Sequence, residues 1–293
     1  MISSPTRYPS SVVPVASRSV SSVNVQIPRP ASDPVAGPAP DTITGTVDLP
    51  GDVAGLSPED FRAANVPVAL FAHCFTCNRN VPAAFRISKT LARHGIACLR
   101  IDFSSLLFSE NLADLESAAR WLDQRLAAPS LLVGHSLGGA AVLQVAHRLA
   151  SVRAAATIGA PLRPASAART LMKSVDAVDR AGGEAPQDAA VQVTLTGREI
   201  TLPTGFFTDL ADNSDADRIT HDVRAISANP ADLLVLHSPT DQTVPVSESQ
   251  RIFDAAGWPK SLMSLRDSDH LLTRRGSAVR AGEMIADWFD TLG

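Results

Sequence analysis

Six consecutive positions from Pro67 to Ala72 are apolar, and polarity returns at once with His73. A run so short and without alternation predicts a strand covered on both faces, the environment of a parallel sheet. From there the pattern alternates. Arg79 to His94 predicts a helix stopped by Gly95, Ile96 to Phe103 a strand, and Glu110 to Ala127 a helix with apolar residues at helical spacing. Leu131-Leu132-Val133 opens a further strand that runs into an Ala-rich helix, and Ala154 to Gly159 is another strand. Strands separated by helices require right-handed crossovers and a parallel sheet covered on both sides. Upstream, Val23 to Ile27 and Thr42 to Leu49 alternate with the strand period and predict an antiparallel edge pair, followed by a polar, Pro-containing link from Pro50 to Val66.

Between Pro161 and Pro230 the rhythm breaks. Ala165 to Asp179 predicts a helix, and Val191 to Leu195 with Arg198 to Leu202 predict a hairpin around Thr196-Gly197. A block of about seventy residues is too long for a plain loop, so an insertion over the site is expected at about 162–230. The regular pattern returns with a strand at Leu233 to His237, a helix at Val246 to Ala256, a strand at Ser261 to Leu265 and a closing helix from Ser277 to Leu292. The expected fold class is α/β: a mostly parallel central sheet flanked by helices, with a small helix-hairpin insertion as a cap. Residues 21–293 would form this domain and residues 1–20 a disordered tail.

Composition narrows the class. At 293 residues with 45% hydrophobic positions, the chain can bury a large core as one sizeable domain. A net charge of −4, scattered Lys and Arg, and 5% aromatics lack the basic stripe and stacking platform of a nucleic-acid binder, so no nucleic-acid partner is expected. No apolar stretch is long enough to cross a bilayer and no charged-then-apolar secretory start is present, which predicts a soluble, cytoplasmic protein without a membrane span. The first thirty-two residues are Ser-rich, carry Arg7, Arg18 and Arg29, and hold no acid before Asp33, a composition like that of organelle transit peptides. Pro5, Pro9, Pro14, Pro28 and Pro30 break the amphipathic helix that an import receptor reads, so a disordered tail is the expectation.

One junction adds chemistry to this frame. In Gly134-His135-Ser136-Leu137-Gly138 a serine stands between a predicted strand and a predicted helix, boxed by glycines. Such a nucleophile elbow needs a sharp, strained turn, and only small residues two positions to either side let strand and helix approach. The turn lifts the Ser136 hydroxyl out of the packed layer and leaves the Leu137 N–H at a helix start, where it can stabilise an oxyanion. A serine hydroxyl needs a base to take its proton, and the base needs a carboxylate to fix its tautomer. In elbow-type sheets the chain order is serine, acid, histidine. Asp241 and His270 follow successive predicted strands, so both leave carboxyl ends on the rim that carries Ser136, where open parallel sheets hold their sites. Asp267 and Asp269 flank the base as alternative partners, but adjacent side chains usually point apart, which leaves Asp241 as the choice.

The second oxyanion N–H is expected from the loop after Phe71-Ala72-His73, with Phe75 the donor and Cys74 next. His73 is expected to shape that loop by hydrogen bonding and His135 to pack or orient beside the nucleophile, with Cys74 lining the site. Three cysteines, Cys74, Cys77 and Cys98, are too few for a disulfide framework and point to a reducing compartment. Cys74-Phe75-Thr76-Cys77 nevertheless has thiol redox spacing, and a position at a helix start would lower a thiol pKa. No second Cys pair completes a set of four zinc ligands, so neither metal nor cofactor is expected.

Ala69 to Cys77, Leu132 to Ala141, Ala156 to Pro161, Val235 to Pro239 and Asp269 to Arg275 together resemble the α/β-hydrolase superfamily. More narrowly they resemble the hydrolase half of proteins in which such a domain is joined to an OsmC-like peroxide-reducing domain. The resemblance covers most of the chain from Val66 onward. It implies an α/β-hydrolase fold and a serine hydrolase with Ser136, Asp241 and His270 as its triad, and names no substrate. The sequence ends at Gly293 without an OsmC-like part, so coupling to peroxide chemistry would involve a separate OsmC-like partner. The connection Asp102 to Ser109 is shorter than the Gly-containing loop usual there, which bears on pocket shape. The expected reaction is cleavage of a small or medium acyl ester or thioester. Its alternatives are peptide hydrolysis by the same machinery and, in another class, a thiol redox or partner-binding protein using Cys74 and Cys77.

Overall fold

The computed structural model describes residues 18–29, 41–166, 191–195, 198–203 and 205–292. In chain order, strands β1 (Val20–Pro28) and β2 (Thr42–Pro50) precede helix α1 (Pro58–Ala63), strand β3 (Val68–Ala72), helix α2 (Pro82–Arg93), strand β4 (Ala97–Ile101) and helix α3 (Phe108–Arg125). Strand β5 (Leu131–His135), helix α4 (Leu137–Val145) and strand β6 (Ala154–Ile158) come next, then β7 (Val191–Leu195) and β8 (Arg198–Leu202). Helices α5 (Phe206–Asp212) and α6 (Ala216–Ala228), strand β9 (Asp232–His237), helix α7 (Ser247–Ala255), strand β10 (Lys260–Ser264) and helix α8 (Ser277–Asp290) complete the chain. Eight strands form one sheet in the order β1-β2-β4-β3-β5-β6-β9-β10, parallel from β4 to β10, while β1 pairs antiparallel with β2 and β2 with β4. Strands β7 and β8 pair as a separate antiparallel hairpin.

The continuous apolar runs have a direct cause in this arrangement. Leu70, Leu99, Leu132 and Leu233 point into one core with α3, α4 and α6, while their neighbours Ala69, Cys98, Val133 and Leu234 point into a second core with α2 and α8. Successive strand side chains leave on opposite faces, so a strand with a core on each side is apolar at nearly every position, with Arg100 on β4 an exception paired to the buried Asp48. Each leucine fully buried there contributes about 1.5–3 kcal/mol relative to exposure.

The observed elements differ from the expected ones in three places. Helix α1 lies within the polar link, where Pro58 starts the helix and the Ser57 side chain caps it, accepting from Asp60 N at 3.1 Å. Helix α6, capped by Asp215 at 2.7 Å from Arg218 N, packs against α4 and β9. The stretch before Pro230 is therefore a crossover helix covering the sheet, which corrects the expectation that all of 162–230 is insertion. Helix α2 begins at Pro82 rather than Arg79, so the Cys74 to Cys77 segment is a turn and not a helix start. The hairpin falls where the alternation predicts it. The predicted helix from Ala165 to Asp179 lies, from residue 167 on, outside the described residues, as does the expected tail up to residue 17; Val20 already belongs to β1.

A buried charge cluster seals the antiparallel seam of the sheet. Asp48 on β2 is fully buried and accepts from Arg100 Nε on β4 at 2.9 Å, from Ser88 Oγ on α2 at 2.5 Å, and from Ser22 Oγ on β1. Burial pushes the Asp48 pKa up, but the hydrogen bonds from Arg100, Ser22 and Ser88 outweigh it and hold the carboxyl below its ordinary value. Arg100 also donates to Arg79 O at 2.6 Å and to Asn80 Oδ1 at 2.9 Å, tying the loop after β3 to the same seam.

Candidate active site

The turn from β5 into α4 holds Ser136 at φ 56° and ψ −123°, a region that non-glycine residues rarely occupy. The sequence permits it because a Cβ on Gly134 would lie 2.5 Å from Gly138 O, and one on Gly138 would lie 2.4 Å from His73 O. Strand, helix and the β3 loop meet at backbone distance, so no side chain fits at either position. Ser136 N donates to Ile158 O at 2.8 Å, which fastens the turn to β6.

At the carboxyl rim, His270 Nε2 lies 2.9 Å from Ser136 Oγ, and His270 Nδ1 lies 2.7 Å from Asp241 Oδ2. The three side chains singled out by residue order are thus in mutual hydrogen-bond contact. Asp241 Oδ1 accepts from Thr243 N at 2.8 Å and Val244 N at 2.9 Å. Burial raises the Asp241 pKa; the bond to His270 and the two backbone N–H groups lower it further than burial raises it, so the carboxyl sits below its ordinary range. Asp269 turns away: its carboxylate accepts from Thr273 N at 2.7 Å and Arg274 N at 3.2 Å, closing the turn that follows. Ser238 Oγ, donating to Ser268 O at 2.6 Å, joins the loop of Asp241 to the loop of His270.

His135 and His73 take different supporting positions. His135 is fully buried on β5, and its Nε2 donates to the main-chain oxygen of His270 at 2.7 Å. Burial, with the nearby His270 adding to it, pushes the His135 pKa down to about 4, so the ring is neutral at neutral pH. His73 Nδ1 donates to Cys74 O at 2.8 Å and its Nε2 accepts from Phe103 N at 3.3 Å, linking the β3 loop to the β4 loop. Its pKa is also lowered, by burial first, which keeps the ring neutral and that donor–acceptor pattern intact.

The N–H groups of Leu137 and Phe75 have no acceptor among the described residues. Both residues border a cleft of about 180 Å³, together with Cys74, Cys77, Phe103 and Leu106. The Asp102 to Ser109 connection therefore does shape the cleft; Asp114 holds Ser104 N at 2.7 Å and Ser104 Oγ at 3.0 Å, fixing its start. Phe206 on α5 packs on Phe75 with ring centroids 5.2 Å apart, and Asp209 accepts from Phe108 N at 2.5 Å. Cys74 and Cys77 are joined by a disulfide, which corrects the expectation of reduced cysteines. Cys98 is free and buried, where burial pushes its thiol up to about 12. Among the described residues no group of three or more His, Cys, Asp or Glu side chains could hold a metal ion, and no helix is long and apolar enough to cross a membrane.

Two residues of the site were not singled out from the sequence. A Cβ on Gly159, at φ +56°, would lie 3.3 Å from Asp241 Oδ2 and 3.5 Å from His270 Nδ1, so only glycine leaves that pair undisturbed. His237 ends β9, donates to Val244 O at 2.9 Å, and lies 3.8 Å from Asp241 Oδ2. The available signal was positional, since both stand at strand ends on the rim of Ser136.

An open, mostly parallel sheet with a strained serine turn on its carboxyl rim defines an α/β hydrolase. The alpha/beta hydrolase family profile matches residues 69–281, and the chain belongs to that family. The esterase domain of a Rhodothermus marinus protein is 35% identical, with a TM-score of 0.67 over 92% of this chain and 97% of that one. Est1E from Butyrivibrio proteoclasticus is similar in fold at 14% identity and a TM-score of 0.65, covering 91% of this chain and 97% of its own. A dienelactone hydrolase from Anabaena variabilis is similar at 16% identity and a TM-score of 0.60, covering 93% and 98%. No curated protein sequence matches significantly.

Proposed function

We propose that the protein is a serine hydrolase that cleaves small or medium acyl esters or thioesters through an acyl-enzyme. The observation that carries this reading is the continuous path from Ser136 Oγ to His270 Nε2 at 2.9 Å and from His270 Nδ1 to Asp241 Oδ2 at 2.7 Å. In the forward step His270 takes the Ser136 proton as Oγ attacks the substrate carbonyl, and Asp241 stabilises the imidazolium that forms. The N–H groups of Leu137 and Phe75 receive the negative charge on the carbonyl oxygen. His270 then gives its proton to the leaving alcohol or thiol, and water repeats the sequence on the acyl-enzyme. Phe75, Phe103 and Leu106 line the cleft beside Leu137 together with the uncharged polar Ser104, Ser105 and Asn111, which supports an uncharged acyl group there. The likeness to an esterase domain at 35% identity supports the same bond type.

A fluorophosphonate probe tests the mechanism and a substrate panel tests the bond. The probe should label the wild type stoichiometrically and leave Ser136→Ala unlabelled. p-Nitrophenyl esters of two to eight carbons should be hydrolysed fastest at the short end, with aminoacyl p-nitroanilides turned over at least about a hundredfold more slowly. Equal labelling of the Ser136→Ala variant overturns the reading, and preference for the anilides replaces it with a peptidase.

A further inference from the structure

We propose that the Cys74–Cys77 disulfide is a reversible thiol–disulfide exchange site that sets the activity of the hydrolase, with a dithiol reductant as its reactant. The inference rests on the serine-hydrolase reading and adds a control to it.

Four observations converge on this segment. The disulfide closes the turn Cys74-Phe75-Thr76-Cys77, whose interior carries the Phe75 N–H that has no acceptor among the described residues. Both cysteines line the cleft that Leu137 borders. The flanks of the turn are anchored elsewhere, by His73 bonded to Cys74 O and Phe103 N, and by Arg79 N donating to Asp102 Oδ1 at 2.6 Å. Between those anchors Thr76 sits at φ 56°, a left-handed conformation unfavourable for a β-branched residue. Cys77 N donates to Cys74 O at 3.1 Å across the same four residues, and the crosslink adds a covalent restraint to that single hydrogen bond while Thr76 occupies that region. Without it, Thr76 can return to an ordinary φ, and the N–H that precedes it moves with the backbone.

The sulfurs differ in access in the way exchange requires. Cys74 is buried, Cys77 is half-buried, and Thr76 between them is exposed. A thiolate of the dithiol attacks Cys77 Sγ; the Cys74–Cys77 bond breaks, and Cys74 Sγ leaves as a thiolate and takes a proton. The second thiol of the reductant then attacks the mixed disulfide, releases Cys77 and leaves the reductant as its own disulfide. Two electrons pass to the protein and the atoms balance. Cys98 has no part in this, since it is fully buried on β4.

The effect on hydrolysis follows from what an oxyanion donor does. It acts in the transition state more than on bound substrate, so displacing it lowers kcat and leaves KM little changed. The test measures p-nitrophenyl acetate kinetics on one preparation that is treated with dithiothreitol, desalted, and then reoxidised with oxidised glutathione. Free thiols are counted at each stage on a denatured aliquot, so that the buried Cys98 is included, and Ser136→Ala supplies the background rate. The expected result is one thiol before reduction and three after it. The reduced protein should have kcat lower by about tenfold or more with KM within about threefold, and reoxidation should restore it. Cys74→Ser combined with Cys77→Ser should sit at the reduced rate and ignore both reagents. If that variant fails to fold, the reversible cycle on the wild type still decides.

Identical kcat in the one-thiol and three-thiol states overturns the inference and leaves the hydrolase reading intact. So does a native protein that releases no thiol to the reductant. Absence of esterase activity and of fluorophosphonate labelling in both states overturns the hydrolase reading, and this inference with it.

Discussion

At Asp241 and Asp269 two carboxylates compete for the same histidine, and local hydrogen bonding separates them. Asp269 precedes His270 directly, yet its oxygens are spent on Thr273 and Arg274, while Asp241 reaches His270 from a different strand end. In the proposed mechanism, replacing Asp241 by Asn removes the charge that stabilises the imidazolium, so kcat should fall by about 10³–10⁴ in steady-state kinetics on p-nitrophenyl acetate. Asp269→Asn should stay within about threefold of wild type in the same assay. Equal losses in the two variants would assign the acid to both. That Ser136, Asp241 and His270 meet was legible in the sequence, because the proposed chemistry dictates their types and the elbow their order. Gly159 and His237 were not, because what they do consists of contacts with Asp241 and His270 that only the folded rim creates.

At the scale of single elements, β5 carries both the turn that holds Ser136 and the tie that holds the loop of His270. His135 donates from β5 to the His270 carbonyl, and in the fold its pKa is lowered from 6.5 to about 4. Between those two values the unfolded chain binds a proton that the folded chain refuses, so stability rises with pH across the window and falls on acidification. From pH 7 to pH 5 this one group should cost about 2 kcal/mol of unfolding free energy. Urea melts at both pH values read it. His135→Gln should lose measurably less stability than wild type between them, and the difference between the two proteins cancels the contributions of His73 and His147, whose pKa values are lowered too. A second element-scale test addresses the β2–β4 seam. Arg100→Ala leaves Asp48 buried without its guanidinium, and the urea midpoint should report a loss of about 3–5 kcal/mol. A loss under about 1 kcal/mol would mean that Lys89, whose Nζ lies 3.2 Å from Asp48 Oδ1, holds the charge together with Ser22 and Ser88.

For the whole molecule, the antiparallel N-terminal pair matters more than its edge position suggests. Strand β1 covers β2 along its length, Ile27 is fully buried, and Arg29 pairs with Glu110 and with Asp114 on α3, the latter at 2.7 Å. Removal of residues 1–41 opens an unpaired sheet edge and strands the buried Asp114 without its cation. The shortened protein should melt at least about 10 °C lower by circular dichroism and run as larger species on gel filtration, as an exposed edge invites pairing between chains. An unchanged melt would show that the strands from β2 to β10 hold themselves together.

What the sequence determined by itself was everything set by local period and local chemistry. The two-sided burial of the central strands β3, β5 and β9 is written as apolar runs, the elbow as glycines around Ser136, and the rim as strand ends followed by Asp241 and His270. Tertiary structure decided what depends on neighbours distant in the chain. Helix α6 reads as part of an irregular block until α4 and β9 are beside it, and the Cys74–Cys77 segment reads as a helix start until Pro82 is seen to begin α2 five residues beyond Cys77. The physical reason is the same in both cases. Periodicity records which face of an element is buried, whereas the partner on that face, and the crosslink or hydrogen bond made with it, exists only once the sheet has brought separate strand ends together.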